Sequence, residues 1–208
     1  MNWPATIGLI EAYGRQQVLL AGHDLGGLVS WWIAAHHPER VRRMVIANCP
    51  HPHVMNNNLF ANVCQMQKSW YVFFFQLQRA PEKMLAAHNF SWPVNVLGKT
   101  SRPGTFTPEE LEKYRQAFSQ PGASQAMVNW YRAFIPQLMN NDEPLTIAVP
   151  TLILWGTNDS ALVKELAAQS AAYCEDGRVV YFEEATHWVQ HEEAEKINPV
   201  MEDFFKDL

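Results

Sequence analysis

Cysteine, long hydrophobic runs and basic charge are all scarce in this 208-residue sequence. The cysteines Cys49, Cys64 and Cys174 are widely spaced and form no Cys-x-x-Cys pair, which excludes a disulfide framework and indicates a reducing compartment. No apolar run approaches the ~18 residues of a membrane-spanning helix, and the N-terminus lacks the basic region of a signal peptide. We therefore expect a cytoplasmic protein without membrane contact. The formal net charge of −5 argues against nucleic acid as a partner, because phosphates bind to basic surfaces.

Metal-binding spacing is also missing. Six histidines lie outside the motifs discussed below, and none of them stands in an arrangement such as His-Glu-x-x-His: His36, His37, His51, His53, His88 and His191. The sequence therefore predicts no metal site.

The composition is that of a globular domain, with 48% hydrophobic and 18% charged residues, and with eight Trp and eleven Phe. Buried strands are predicted near residues 17–21, 41–47, 151–155 and 179–182. They alternate with helices predicted over residues 28–37, 162–173 and 192–205. This alternation predicts an α/β fold with a partial parallel sheet and flanking helices. Residues 51–145 differ, because the capping box Thr107-Pro108-Glu109-Glu110 and several helical spacings indicate a block of helices. We expect core segments at 1–50 and 146–208, with an inserted helical lid between them.

The segment Gly22-His23-Asp24-Leu25-Gly26-Gly27 stands between a predicted strand and a predicted helix. Glycines at such a sharp turn permit close approach of the backbone. On this stretch alone, Asp24 has two interpretations that fit equally well. It is either the N-cap of the following helix or a functional carboxylate at the tip of the turn.

Two further polar residues follow predicted strands in the same way, Asp159 after the third strand and His187 after the fourth. Ligands of open parallel sheets bind beyond the carboxyl ends of the strands, so we expect Asp24, Asp159 and His187 to meet at one edge. Their chain order of nucleophile, acid and histidine is that of α/β-hydrolases. Each residue singly could belong to a turn or to the core, but the three together favour catalysis.

The pattern as a whole resembles the epoxide hydrolase family of the α/β-hydrolase fold. The turn around Asp24 is similar to that family's nucleophile elbow, with Asp in place of the Ser of esterases, and Asp159 and His187 fall where the family has its acid and its base. Tyr71, in Ser-Trp-Tyr-Val, and Tyr131, in Asn-Trp-Tyr-Arg, look like the two lid tyrosines that bind the epoxide oxygen. Without the resemblance, both tyrosines would be interpreted as core aromatics.

The resemblance implies hydrolysis of a small-molecule epoxide by water, without a cofactor. The carboxylate of Asp24 attacks an epoxide carbon and forms an ester, while two phenols that stay protonated at neutral pH assist the leaving oxygen. His187, oriented by Asp159, then activates a water that attacks the ester carbonyl. A serine nucleophile could not complete this cycle, because it would form an alkyl ether with the substrate, and an ether has no carbonyl carbon for water to attack.

Leu25 departs from the family, which usually has Trp at this position. Its backbone N–H is still expected to serve as an oxyanion donor. Its side chain weighs against a dehalogenase, because dehalogenases usually have a Trp or Arg donor at this position and leucine has none. A dehalogenase with the same Asp-His-Asp set is nevertheless the alternative enzyme, and a non-catalytic hydrolase-like binding protein is the alternative from another class. His23, Trp130 and Trp188 are predicted to line the substrate pocket.

The family has a longer stretch before its elbow, which supplies the first strands and a His-Gly-x-Pro loop with another oxyanion donor. Here 23 residues precede Asp24, and His-Gly-x-Pro does not occur. A late gene start, a fragment or a second polypeptide would each explain the difference. We expect the strand before Asp24 to be a sheet edge, or to be covered by a dimer partner or an N-terminal segment. Because one lost oxyanion donor costs ~10²–10³ in rate, the chain alone is expected to be weakly active or inactive.

Overall fold

A computed structural model of the chain describes residues 3–139 and 146–206. Four strands form one parallel sheet in the order β1-β2-β3-β4, and they span Val18–His23, Val41–Ala47, Thr151–Gly156 and Gly177–Phe182. The register pairs His23 with Ala47, Ala47 with Leu154, and Gly156 with Phe182. The predicted parallel sheet is therefore confirmed, and the carboxyl ends of all four strands lie along one edge.

The two central strands are buried on both faces, which explains their nearly continuous apolar sequence. On one face, Met44 and Ile46 of β2 pack in the main core with helices α2 (Leu25–His36) and α9 (Glu165–Ala171). On the other face, Val45 and Ala47 pack in a second cluster with helix α11 (Ala194–Lys206). Helix α1 (Trp3–Ala12) contacts α2, and the short helix α10 (Val189–Glu192) contacts β3.

Residues 52–139, which we call the helical insertion, run between β2 and β3. Their helices are α3 (Pro52–Ala61), α4 (Val63–Lys68), α5 (Trp70–Phe74), α6 (Ala80–Thr100), α7 (Pro108–Phe118) and α8 (Ala123–Met139). The predicted capping box is present at the start of α7, where the Thr107 hydroxyl accepts from the Glu110 N–H and the Glu110 carboxylate accepts from the Thr107 N–H. The predicted end of the lid at residue 145 lies outside the described residues.

Three helix boundaries differ from the sequence-based expectation. Helix α2 begins at Leu25 rather than at residue 28, because Gly26 and Gly27 adopt helical conformation directly after the turn. The helix expected over 162–173 is the shorter α9, and the closing helix expected over 192–205 is divided between α10 and α11.

Strand β1 lies at one edge of the sheet formed by the described residues, as predicted. The cluster around α11 covers β2, β3 and β4 but contains no residue of β1. Leu19 is accordingly 44% exposed. Among the described residues, no helix is both long and apolar enough to cross a membrane.

Candidate active site

The turn between β1 and α2 holds Asp24 in a backbone conformation that non-glycine residues rarely adopt, with φ 50° and ψ −124°. Its side chain makes no capping hydrogen bond to α2, so the interpretation of Asp24 as a simple N-cap is not supported. A Cβ atom at Gly22 would lie 2.5 Å from the carbonyl oxygen of Gly26, so only glycine fits beneath the turn. The turn projects the Asp24 carboxylate from the sheet edge, where its side chain is 45% exposed.

Asp24, His187 and Asp159 form a chain of polar contacts across this edge. The Nδ1 atom of His187 lies 2.7 Å from Oδ2 of Asp159, and its Nε2 atom lies 3.9 Å from Oδ1 of Asp24. The other Asp159 oxygen, Oδ1, accepts hydrogen bonds from the backbone N–H groups of Ala161 and Leu162 at 2.7 and 3.0 Å. A fixed carboxylate, an oriented imidazole and an exposed carboxylate therefore stand in series, with the Nε2 atom directed to Asp24, as in a catalytic triad.

Asn48 belongs to the same constellation and was missed by the sequence analysis. Its Nδ2 atom donates to Oδ2 of Asp159 at 2.7 Å and to the Gly156 carbonyl at 3.2 Å, and its Oδ1 accepts from the Gly156 N–H at 2.8 Å. Asn48 is fully buried and has a positive φ of 37°. Its position directly after β2 was the available signal, because each of the other three strands is also followed by a polar residue of the site.

Charge in the site is concentrated on His187 and its carboxylate neighbours. Burial alone would lower the pKa of His187, but the charge and hydrogen bond of Asp159, followed by the charges of Asp24 and Glu192, raise it to about 9. Burial likewise opposes ionisation of Asp159, but the His187 cation and the hydrogen bonds from Ala161 and Asn48 hold its pKa below the usual range. The imidazole is therefore mainly protonated at neutral pH and the Asp159 carboxyl is ionised.

Tyr71 of α5 and Tyr131 of α8 meet above Asp24. Their rings are 5.7 Å apart between centroids at an interplanar angle of 85°, and Phe75 packs against Tyr131 at 4.8 Å. Burial, followed by the negative charge of Asp24, raises the pKa of both phenols well above the usual value of 10. Both groups therefore stay protonated and can donate hydrogen bonds.

Two cavities meet at Asp24, Tyr71 and Tyr131. The larger has a volume of about 430 Å³ and also contacts His187. Its remaining wall is mostly aromatic and aliphatic, with Phe75, Trp92, Leu97, Phe118, Met127 and Trp188. The smaller has a volume of about 50 Å³ and is lined by Leu25, Leu28, Met55, Phe134 and Leu162, among others. A largely apolar ligand with a reactive group between the carboxylate and the phenols fits this arrangement.

The three predicted pocket residues have different surroundings. Trp188 lines the larger cavity, and its indole N–H donates to the hydroxyl of Thr100 at 2.9 Å. His23 lines neither cavity. Burial, followed by the charge of His187, lowers the pKa of His23 to about 4. The Nε2 atom of this neutral ring lies 2.8 Å from the His187 carbonyl oxygen. Trp130 is 37% exposed and also lines neither cavity. Within residues 3–139 and 146–206, no cluster of three or more His, Cys, Asp or Glu side chains could hold a metal ion.

Comparison with known proteins identifies the family to which the fold belongs. Residues 5–194 match the family model of the alpha/beta hydrolase fold. The chain is 34% identical over 201 residues to the AB hydrolase superfamily protein YfhM of Bacillus subtilis (strain 168). This alignment covers 97% of this chain and 70% of that protein. It is 33% identical over 205 residues to Epoxide hydrolase 4 of Homo sapiens, covering 96% of this chain but 56% of that protein.

Among solved structures, that of the Bacillus megaterium epoxide hydrolase in complex with an inhibitor aligns with a TM-score of 0.85 at 25% identity. The alignment covers 99% of this chain and 75% of that structure. These findings confirm the fold predicted from the sequence and the resemblance to epoxide hydrolases. They also show that this chain spans little more than half the length of its human relative.

Proposed function

This chain belongs to the α/β hydrolase fold family, and on that premise we propose that its site converts epoxides to vicinal diols through an ester on Asp24. The observation that carries the proposal is the pair of buried phenols, Tyr71 and Tyr131, which line the same two cavities as the carboxylate. A pair of protonated donors facing a nucleophile suits a leaving group that departs as an alkoxide.

In the first half of the cycle, an Asp24 oxygen attacks one epoxide carbon and the bond from that carbon to the ring oxygen breaks. The ring oxygen takes the bonding electron pair and accepts hydrogen bonds, and then a proton, from the phenols of Tyr71 and Tyr131. The rest of the substrate lies in the apolar cavity of about 430 Å³. The product of this half is a hydroxyalkyl ester of Asp24.

In the second half, the proton that His187 carries in the resting site passes to the tyrosinate, and the neutral imidazole then removes a proton from a water that attacks the carbonyl carbon of this ester. Asp159 holds the imidazole by the 2.7 Å contact to Nδ1, which directs Nε2 to the water. The backbone N–H of Leu25 supplies one donor for the oxyanion. The bond from the carbonyl carbon to the diol oxygen then breaks, and that oxygen takes the proton from His187. Ionisation of the Asp24 carboxyl group returns a proton to the imidazole, which restores the resting site.

The experiment that tests the proposal is trapping of the ester. The variant His187→Gln lacks the base, so exposure to an aryl epoxide such as styrene oxide is expected to add one epoxide mass to the peptide that contains Asp24. The double variant Asp24→Asn, His187→Gln is the matched control and should gain no mass. If soluble, folded His187→Gln protein gains no mass either, the proposed activity is wrong for this chain.

One observation favours a second candidate, a protein that binds ligands without turning them over. The Asp24 side chain is 45% exposed, whereas oxyanion and nucleophile chemistry gains most from a water-excluded site. Binding of the epoxide without a covalent adduct in the trapping experiment would support this candidate. Release of halide from haloalkanes, without an adduct from epoxides, would instead support a dehalogenase.

A further inference from the structure

We propose that Glu192 is a positioning residue for His187, and that Arg102 of the helical insertion fixes Glu192 in this role. This inference rests on the proposed function of His187 as the base. It assigns a task to a buried carboxylate and a buried ion pair that the proposed cycle does not otherwise use.

The carboxylate of Glu192 is bound mainly to the residue before His187. Its Oε2 accepts from the Thr186 N–H at 2.7 Å, and its Oε1 accepts from the Thr186 hydroxyl at 2.7 Å. The Glu192 side chain is completely buried. Two short hydrogen bonds from Thr186 to Glu192 therefore fix the main chain directly before His187.

Arg102 anchors this carboxylate from the helical insertion. Its backbone N–H donates to Glu192 Oε1 at 2.7 Å, its Nε lies 3.6 Å from Glu192 Oε2, and its guanidinium also donates to the Glu192 carbonyl. The Nη1 atom forms a further 2.7 Å ion pair with Glu193, whose side chain is 5% exposed. The buried carboxylates are thus compensated by the guanidinium, without which they would be costly to bury.

The residue after His187 is held by the same part of the insertion. The indole N–H of Trp188 donates to the hydroxyl of Thr100, the last residue of α6. Both chain neighbours of His187 are therefore connected to residues 100–102. Because α6 also lines the larger cavity through Trp92, Val96 and Leu97, the helix that contacts the substrate also holds the base.

Arg102 forms an ion pair with Glu192, and the charge of Glu192 also acts on the His187 imidazole. The negative charge of Glu192 is one of those that raise the pKa of His187, after those of Asp159 and Asp24. The variant Glu192→Gln removes that charge and also places an amide N–H donor where the Thr186 donors need an acceptor. Loss of positioning should therefore be accompanied by a lower titration midpoint of His187.

The test has two readouts, of which one needs no activity. In the NMR titration of the intact protein, Glu192→Gln is expected to lower the His187 midpoint by about half a pH unit or more. In reaction with styrene oxide, formation of the Asp24 ester should stay within about twofold, while its hydrolysis slows at least about tenfold, as expected for loss of a hydrogen bond to a charged group. The exposed carboxylate of Glu195, on the same stretch of chain, gives the matched control Glu195→Gln, which should change neither readout.

An unchanged His187 midpoint in Glu192→Gln would overturn the inference, as would equal slowing of both chemical steps. If Glu192→Gln fails to fold, Thr186→Val keeps the charge and removes the hydroxyl contact, and it should slow ester hydrolysis while leaving ester formation unchanged. Absence of any Asp24 ester in the unaltered protein contradicts the proposed function instead. In that case the NMR midpoint alone still decides whether Glu192 acts on His187.

Discussion

The protonation of His187 should make the stability of the fold depend on pH in a specific window. Because the pKa of His187 is raised from 6.5 to about 9, the folded state binds a proton that the unfolded state releases between these values. The resulting stabilisation is fully present below pH 6.5 and is lost as the pH rises through about 9. The variant His187→Gln cannot bind this proton and should lack this part of the pH dependence.

The magnitude follows from the width of the window. The interval from 6.5 to about 9, at about 1.4 kcal/mol for each pH unit, corresponds to about 3 kcal/mol of unfolding free energy. The His187 side chain is 11% exposed, so solvent screening reduces this value little. The stabilisation arises from the carboxylates of Asp159, Asp24 and Glu192, which outweigh the cost of burying the imidazolium.

The assay is urea unfolding at several pH values from 6 to 10 on the unaltered protein and on His187→Gln. The difference in unfolding free energy between the two should shrink by about 3 kcal/mol from pH 6.5 to above pH 9. A difference that stays constant across this range would refute the assignment of a raised pKa to His187. An NMR titration of the imidazole gives an independent value for the same midpoint.

Three further predictions concern substitutions at Asn48, at Gly22 and at the two tyrosines of the site. Asn48→Ala should lower the unfolding free energy by about 3 kcal/mol in urea titrations, because it removes the side-chain acceptor of the buried Gly156 N–H and one of the hydrogen bonds to the Asp159 carboxylate. Asn48→Gly, which tolerates the positive φ, should lose nearly as much if the hydrogen bonds matter more than the backbone conformation. Gly22→Ala should prevent formation of soluble folded protein, because the added Cβ would lie 2.5 Å from the carbonyl oxygen of Gly26. Gly26→Ala is the control and should fold normally, because no atom lies within 4 Å of its added Cβ. Expression yield and circular dichroism compare the two variants. Replacement of Tyr71 and Tyr131 together by Phe should slow formation of the Asp24 ester by ~10²-fold or more in single-turnover mass spectrometry, and equal rates would show that the phenols do not assist the leaving oxygen.

The sequence predicts much of the site because its main residues occupy positions with strong local signals. Asp24, Asp159 and His187 stand one, three and five residues past the end of an apolar strand, and parallel strands place such residues along one edge of the sheet. The tyrosines were accessible only through a family resemblance, since an aromatic residue on a helix looks the same in a core and in a pocket. Their meeting depends on how α5 and α8 pack, which no local pattern specifies.

Asn48 and the contacts of Glu192 show where sequence reasoning stops. Asn48 after β2 looks like an ordinary turn residue, and its importance comes from three hydrogen bonds to residues more than a hundred positions away. Glu192 looks like an acidic residue at the start of a helix, where the helix dipole favours negative charge. Only the folded structure brings the Arg102 guanidinium to it and reveals a fully buried carboxylate in an ion pair.

The 3.9 Å separation between His187 and Asp24 has a consequence for the timing of the proposed reaction. A protonated imidazole cannot act as a base, yet the resting site favours the protonated ring. Formation of the ester neutralises Asp24 and removes one of the charges that hold the proton on His187. The ring then releases its proton more easily at the moment when a base is needed, so the first step of the proposed reaction favours the protonation state that the second step uses.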